Sequence, residues 1–560
     1  MILVKVLFAA QLIVNIETKI HQQDLQQQLK GKTSSIKELK KLVSIKFKQE
    51  VDSNAENWFT FKQRVSHFSS SVTPYFDQRY YKKARSTNSS YAILYVGGEG
   101  PMTFVETDSV KVRLADDLNA TLYALEHRGY RVNDTVPLKY VTVDEEIEDL
   151  AYFANSVDPA KKWIIIGGSY SGTVVHYAVL KYPYLFHTGW ASSPPMDAKE
   201  DFFEYDQIVS KSLTVECREK IRLATLEMDR VQVEDQQLFK KWKALVFPGI
   251  PQVGDGDFLS YFAEAVSGEV QYNNYGSSLL DFLCGSEESQ DTEPPAATQT
   301  EESSPTNSDD ESDDPDWSES DEDSDYDEDS DYDSDTSDID IGTLKKLKKS
   351  NKPSPAFKKS INRRTLHSRS VNYAKKRSKQ AKVHFDVTKF IYKYIKFVNM
   401  TPPPTANDNS MTKWVYQCCT SFGWWQVAPK ENSLRSKLLS VEWSRKTYCE
   451  KGYPELLING KFPKELPRTD NTNDRYAYTE KLPRVVYTNG QNDPWSALSH
   501  PLDKIDELVQ YGDKCGAFAY KISKGSHCND FYPFRSTDSP SKTKARLTVL
   551  ETLKRLVTTC

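Results

Sequence analysis

The sequence predicts an α/β fold in which a mostly parallel sheet is interrupted by an inserted helical cap. Three observations predict it. Apolar, β-branched runs alternate with helical patterns, as in parallel strands joined by crossover helices. One stretch, WIIIGGSYSGTVVHYAVLKYP at 163–183, reads as strand, glycine turn and helix in direct succession. From Asp197 to about Asp281 the pattern turns helical, and it resumes near Val387 beyond two charged tracts. Residues 45–195 and 471–560 are accordingly assigned to the sheet domain and 196–470 to the cap, with 286–385 a disordered acidic-then-basic insert.

Taken in order, the chain opens with MILVKVLFAAQLIVNIETKI, one early lysine followed by an apolar run. Residues 1–20 are expected to be a secretory signal peptide, and the polar stretch from 20 to 50 a spacer or propeptide. The first clear strand is YAILYV, running into Gly97-Gly98-Glu99-Gly100-Pro101, and a second centres on 121–125. Residues 144–154 follow as an amphipathic helix. A buried strand at 163–166 then stops at two glycines, and Val174, Val175, Ala178 and Val179 recur at helical spacing until Pro183 ends the run. TGWASSPP reads as the end of another strand. In the cap, CREKIRLATLEMDRV is the clearest helix, and helical residues are expected from Val387 through WVYQCCTSFGWWQV and past Cys449. The sheet returns with strands at 484–488 and 517–522, and a helix at 544–557 closes the chain.

The charge is very unevenly distributed. Residues 286–343 hold 25 Asp/Glu and no Lys/Arg, and 344–385 hold 15 Lys/Arg and no Asp/Glu. Setting these aside from the 79 acidic and 73 basic residues leaves the rest of the chain at +4, so the formal net charge of −6 belongs to one segment. Both tracts are too polar to bury a core and read as solvated linkers. No nucleic-acid partner is expected. The acidic tract lacks EF-hand spacing. Beyond the N-terminus, no stretch reaches the roughly 18 apolar residues of a membrane span. The eight cysteines form no paired C-x-x-C sets, so neither a structural zinc nor any cofactor is expected, and most should be bridged on a secretory route. Sequons at Asn88, Asn119, Asn133 and Asn399 fit that route.

The chemistry rests on three residues. GGSYSG fits the G-x-S-x-G nucleophile elbow with Ser169 at its centre and Ser171 in the last position. Ser171 as nucleophile would need glycine at 169 and 173, which are serine and threonine. Asp493 follows the strand at 484–488, and His527 follows the strand at 517–522. All three lie at the carboxyl ends of strands, where open α/β sheets build their sites. Their order, Ser…Asp…His, is that of α/β-hydrolases. His527 would take the proton from Ser169 and return it to the leaving group, while Asp493 fixes the imidazole tautomer. The backbone N–H of Tyr170 is expected to supply one oxyanion donor and that of Gly98 the second. His127 precedes the nucleophile, His176 sits on the elbow helix and His500 is too close to Asp493, so none replaces His527.

QRYY at 78–81, GGEGP at 97–101, EHR at 126–128, GGSYSG at 167–172, WVYQCCTSFG at 414–423, NGQNDPWS at 489–496 and GSHCND at 525–530 form an ordered set. In this set the chain resembles the serine peptidase family containing prolyl carboxypeptidase, dipeptidyl peptidase II and thymus-specific serine protease. The resemblance spans roughly residues 55–540. It implies a capped hydrolase domain, a Ser169–Asp493–His527 triad, peptide substrates with proline beside the cleaved bond, and a secreted or lysosomal glycoprotein. Three features depart from the family pattern: Gly129-Tyr130-Arg131 after EHR, Pro195 after the elbow helix, and the long insert. Two other readings stay open, an esterase or lipase with the same triad and a non-catalytic secreted protein acting through the charged insert. Removal of a C-terminal residue or of an N-terminal dipeptide, and homodimerisation, are left open. Trp414, Tyr416, Trp424 and Trp425 are read as core residues in preference to a proline pocket.

Overall fold

The computed structural model describes residues 57–69, 74–84, 89–102, 105, 108–131, 134–250, 252–272, 279–285, 385–400, 410–477, 481–499, 509–536 and 538–560. The expected signal peptide, the spacer, the charged insert (286–384), Asn88, Asn133 and His500 lie outside these residues.

Among the described residues nine strands form one sheet. In chain order they are β1 (Trp58–Arg64), β2 (Tyr75–Lys83), β3 (Tyr91–Val96), β4 (Thr121–Leu125), β5 (Lys162–Gly168), β6 (Phe186–Ser192), β9 (Val485–Gly490), β10 (Val509–Tyr511) and β11 (Ala517–Ile522). Their spatial order is β1-β2-β4-β3-β5-β6-β9-β11-β10. The strands from β4 to β11 pair in parallel, while β1, β2 and β10 are added antiparallel at the two edges. β7 (Lys199–Asp201) and β8 (Gly423–Trp425) make a separate parallel pair.

Alternation along the central strands explains the two layers. Ile164 and Ile166 of β5, with Ile93 and Tyr95 of β3, join a core that includes Val110 and Leu114 of the helix Val110–Asp117. Val549, Leu553 and Leu556 of the closing helix Pro540–Thr559 complete it. On the opposite face the Trp163 and Tyr123 rings meet Phe153, which lies on the helix Val143–Val157. Central strands buried on both faces read as near-continuous apolar runs, as these do.

The helices Glu204–Ser212, Val215–Glu234, Gln236–Val246, Asp255–Gln271, Leu279–Cys284, Val387–Met400 and Ser410–Gln417 lie between β6 and β9 in the chain. A buried Arg435 ties two of them together, pairing with Glu264 at 2.6 Å and Asp206 at 3.5 Å. Disulfides join Cys217 to Cys284, Cys419 to Cys449 and Cys515 to Cys560, and Cys418 and Cys528 are free and buried.

One expectation is corrected. The helical pattern does not run through 414–427. It ends in a π-turn at Cys418–Phe422, and Gly423 (φ 71°) turns the chain into β8. A Cβ at Gly423 would lie 2.8 Å from Glu200 Cα, so β7 can approach only because the residue is glycine.

Candidate active site

β5 delivers Ser169 at its end, in a backbone conformation (φ 56°, ψ −130°) that costs a non-glycine residue about 1–3 kcal/mol. The turn is tight on its other side too, because a Cβ at Gly167 would come within 2.4 Å of the Ser171 carbonyl oxygen. Ser171, the departure from the motif, binds the turn to itself. Its Oγ accepts from Gly168 N at 3.0 Å and donates to Gly168 O at 2.8 Å. A glycine there could do neither.

The structure brings the three sequence-predicted side chains together. His527 Nε2 lies 2.8 Å from Ser169 Oγ, and His527 Nδ1 lies 2.9 Å from Asp493 Oδ1. The same Asp493 oxygen accepts from Trp495 N at 2.9 Å. Asp493 and His527 are both buried. Burial disfavours the imidazolium, but the Asp493 carboxylate, with the neighbouring Cys528 sulfur, outweighs it and holds His527 well above its ordinary range. The histidine loop is also held from the helical layer: His527 N donates to the carbonyl of Gln271, the last residue of the helix Asp255–Gln271. The Gln271 side-chain oxygen receives Trp495 Nε1 at 3.1 Å and Tyr205 Oη at 2.7 Å.

The residues expected to donate to an oxyanion follow neighbouring strands, Gly98 after β3 and Tyr170 after β5. Tyr170 opens the elbow helix Tyr170–Lys181, so its N–H lies in the first turn, where no intrahelical acceptor exists. Gly97 N is occupied by Leu125 O at 2.8 Å, whereas a Cβ on Gly98 would meet nothing within 4 Å. Gly98 therefore borders open space.

Sequence reasoning passed over four residues here. Glu99, 5% exposed, follows Gly98, and burial pushes its carboxyl up from 4.5 to about 7 against the pull of its own backbone N–H and of His527. The folded state favours neutral Glu99, so this contribution to stability is present below pH 4.5 and is lost as the pH rises through 7. That rise corresponds to on the order of 3 kcal/mol. Glu99→Gln is expected to raise Tm at pH 8 and leave it unchanged at pH 4, whereas equal shifts at both would contradict this. His127, set aside from the sequence, has its Nε2 3.0 Å from Tyr170 Oη, and Tyr130 and Gln417 join the same cluster. His176 is buried and bonds to Tyr487 Oη and the Tyr476 carbonyl.

Trp414, Trp424 and Trp425 are buried, as expected of core residues, yet with Trp495, Met411 and Cys418 they also line a cavity of about 70 Å³. Its walls adjoin the site. The Trp414 ring is 5.5 Å from Tyr170 and the Trp495 ring 6.4 Å from His527. A depression of about 770 Å³ beside 538–552 is lined by one outer helix and its approach, and includes none of these groups. Among the described residues no cluster of three or more His, Cys, Asp or Glu could hold a metal ion, and no helix is long and apolar enough to cross a membrane. Asn119 and Asn399 are exposed, and Asn399 Nδ2 donates to Leu245 O at 3.2 Å.

The sequence profile described as serine carboxypeptidase S28 matches residues 63–301 and 324–549. A Caenorhabditis elegans protein described as a serine protease is 30% identical over 244 residues, covering 36% of this chain and 48% of that protein. The thymus-specific serine protease of Mus musculus is 22% identical over 531 residues, covering 88% of this chain and 86% of that protein. The human lysosomal Pro-X carboxypeptidase is 28% identical over 159 residues, covering 25% and 32%. The chain thus spans about half of the nematode relative and most of the thymus-specific one.

Proposed function

The chain belongs to the serine carboxypeptidase S28 family, and from that premise we propose that it is a serine exopeptidase cleaving peptides beside proline. The observation that carries this reading is the continuous Ser169–His527–Asp493 hydrogen-bonded line. Ser169 Oγ attacks the scissile carbonyl carbon as His527 Nε2 takes its proton. The carbonyl oxygen becomes an oxyanion facing the N–H groups of Tyr170 and Gly98. The C–N bond then breaks, His527 returns the proton to the leaving amine, and water releases the acyl group by the same steps reversed. Asp493 keeps the Nδ1 proton in position and stabilises the imidazolium.

The proline preference is supported by the tryptophan-lined cavity, whose walls adjoin Tyr170 on one side and His527 on the other. Flat aromatic faces suit a rigid pyrrolidine ring, and the name of one relative specifies Pro-X bonds. Three disulfides and that relative's lysosomal name support a secretory route ending in secretion or the lysosome, with Asn119 and Asn399 as its exposed glycan acceptors.

A peptide carrying proline at both the second and the penultimate position tests the reading. It is incubated at mildly acidic, neutral and mildly alkaline pH with the processed protein and followed by mass spectrometry, because His527 must be neutral to take the proton from Ser169. Loss of the last residue alone is expected for a prolyl carboxypeptidase, and loss of an N-terminal dipeptide for a dipeptidyl peptidase. No cleavage of any peptide, or cleavage of esters only, would refute it.

A further inference from the structure

Behind the elbow, four side chains from three parts of the chain form one line of hydrogen bonds. Tyr130 Oη donates to Gln417 Oε1, Gln417 Nε2 donates to Tyr170 Oη at 2.8 Å, and Tyr170 Oη meets His127 Nε2 at 3.0 Å. His127 Nδ1 ends the line 2.7 Å from the Arg128 carbonyl oxygen. All four side chains are at most 1% exposed.

The direction of every proton follows from the last contact. A carbonyl only accepts, so His127 Nδ1 carries hydrogen. Burial pushes this imidazole down to about 4, against the opposing pull of the Arg128 carbonyl and Asp149, so the ring is neutral and Nε2 is a bare acceptor. Tyr170 must therefore donate to His127 and accept from Gln417, which orients the Gln417 amide and leaves its oxygen to receive Tyr130. The far end is immobile, since the buried Arg128 guanidinium is held by Asp149 and by the carbonyl oxygens of Val65 and Tyr140.

Tyr170 is the residue immediately after Ser169, and its N–H is the donor assigned above to the oxyanion. Gln417 ends the helix Ser410–Gln417, whose Trp414 both lines the cavity and meets the Tyr170 ring. We infer that Gln417 and His127 are positioning residues that fix the Tyr170 N–H through its phenol, so that the helix walling the substrate cavity also sets the oxyanion donor. The inference rests on the peptidase reading. Donors preorganised for the oxyanion act on the transition state and leave ground-state binding nearly unchanged.

Gln417→Met keeps the length of the side chain and removes both hydrogen bonds, and Tyr170→Phe keeps the ring and the N–H while losing the hydroxyl. Each is expected to lower kcat by about 10- to 100-fold, less than the 10²–10³ of losing a donor outright, with KM within about twofold. Affinity for a peptidyl-proline boronate, whose tetrahedral adduct places an oxygen at the oxyanion position, should fall by the same factor. Affinity for the product peptide should not. The control is Tyr394→Phe, which removes a buried hydroxyl bond of 2.9 Å to the Phe262 carbonyl, away from the line. It should cost similar thermal stability and leave kcat unchanged. Unchanged kcat in Gln417→Met and Tyr170→Phe, or an equal fall in Tyr394→Phe, would overturn the inference while the parent enzyme still turns over. No turnover by the parent would remove the peptidase reading and the inference with it.

Discussion

Ser169→Ala is expected to lower kcat on a proline peptide by about 10⁶-fold while shifting stability by no more than about 1 kcal/mol. The hydroxyl is the only group lost, and the backbone strain at φ 56° stays, because alanine is no better suited to it than serine. The side chains of a triad act as a unit, so Ser169→Ala/His527→Ala should be hardly less active than either single variant. Measurement requires kcat for each variant on protein whose thermal transition matches the parent. Residual activity above 1% in Ser169→Ala would exclude this serine as nucleophile, and a multiplicative loss in the double variant would exclude joint action with His527.

Asp493→Ala is expected to lower kcat by about 10⁴-fold, and the asparagine variant should be milder for a reason specific to this site. A single Asp493 oxygen serves both Trp495 N and His527 Nδ1. In Asp493→Asn the amide must keep its oxygen there to satisfy the buried Trp495 N–H, and that choice also preserves the Nδ1–H tautomer. What asparagine loses is the negative charge that holds the imidazolium well above its ordinary range. The acid limb of kcat/KM should then move to lower pH in Asp493→Asn. An unmoved limb would mean that the Asp493 charge does not set the titration of His527, and a loss as large as that of alanine would mean that the amide has flipped and the tautomer is wrong.

The central sheet and the three groups of the proposed triad are legible in the sequence because each rests on local chemistry. β3, β4 and β11 begin and end where their apolar runs do, and Ser169, Asp493 and His527 each follow such a run. The antiparallel β1–β2 pair was not legible. WFTFKQR and YFDQRYYKK lie at the sheet edge, where polar side chains interrupt the apolar pattern. β8 was hidden for another reason, since the break at Gly423 serves a contact with Glu200 more than two hundred residues away. The cluster around Tyr170 was equally out of reach. EHR and WVYQCC stood out as motifs, but Tyr130 and Gln417 are 287 positions apart and neither carries a local sign of the other.

The tie between Gln271 and the His527 backbone couples the helical layer to the Ser169–His527 pair. A displacement of that helix end would draw the imidazole from Ser169 for as long as the main-chain bond holds, so the alignment of the pair depends on a helix far from it in the chain.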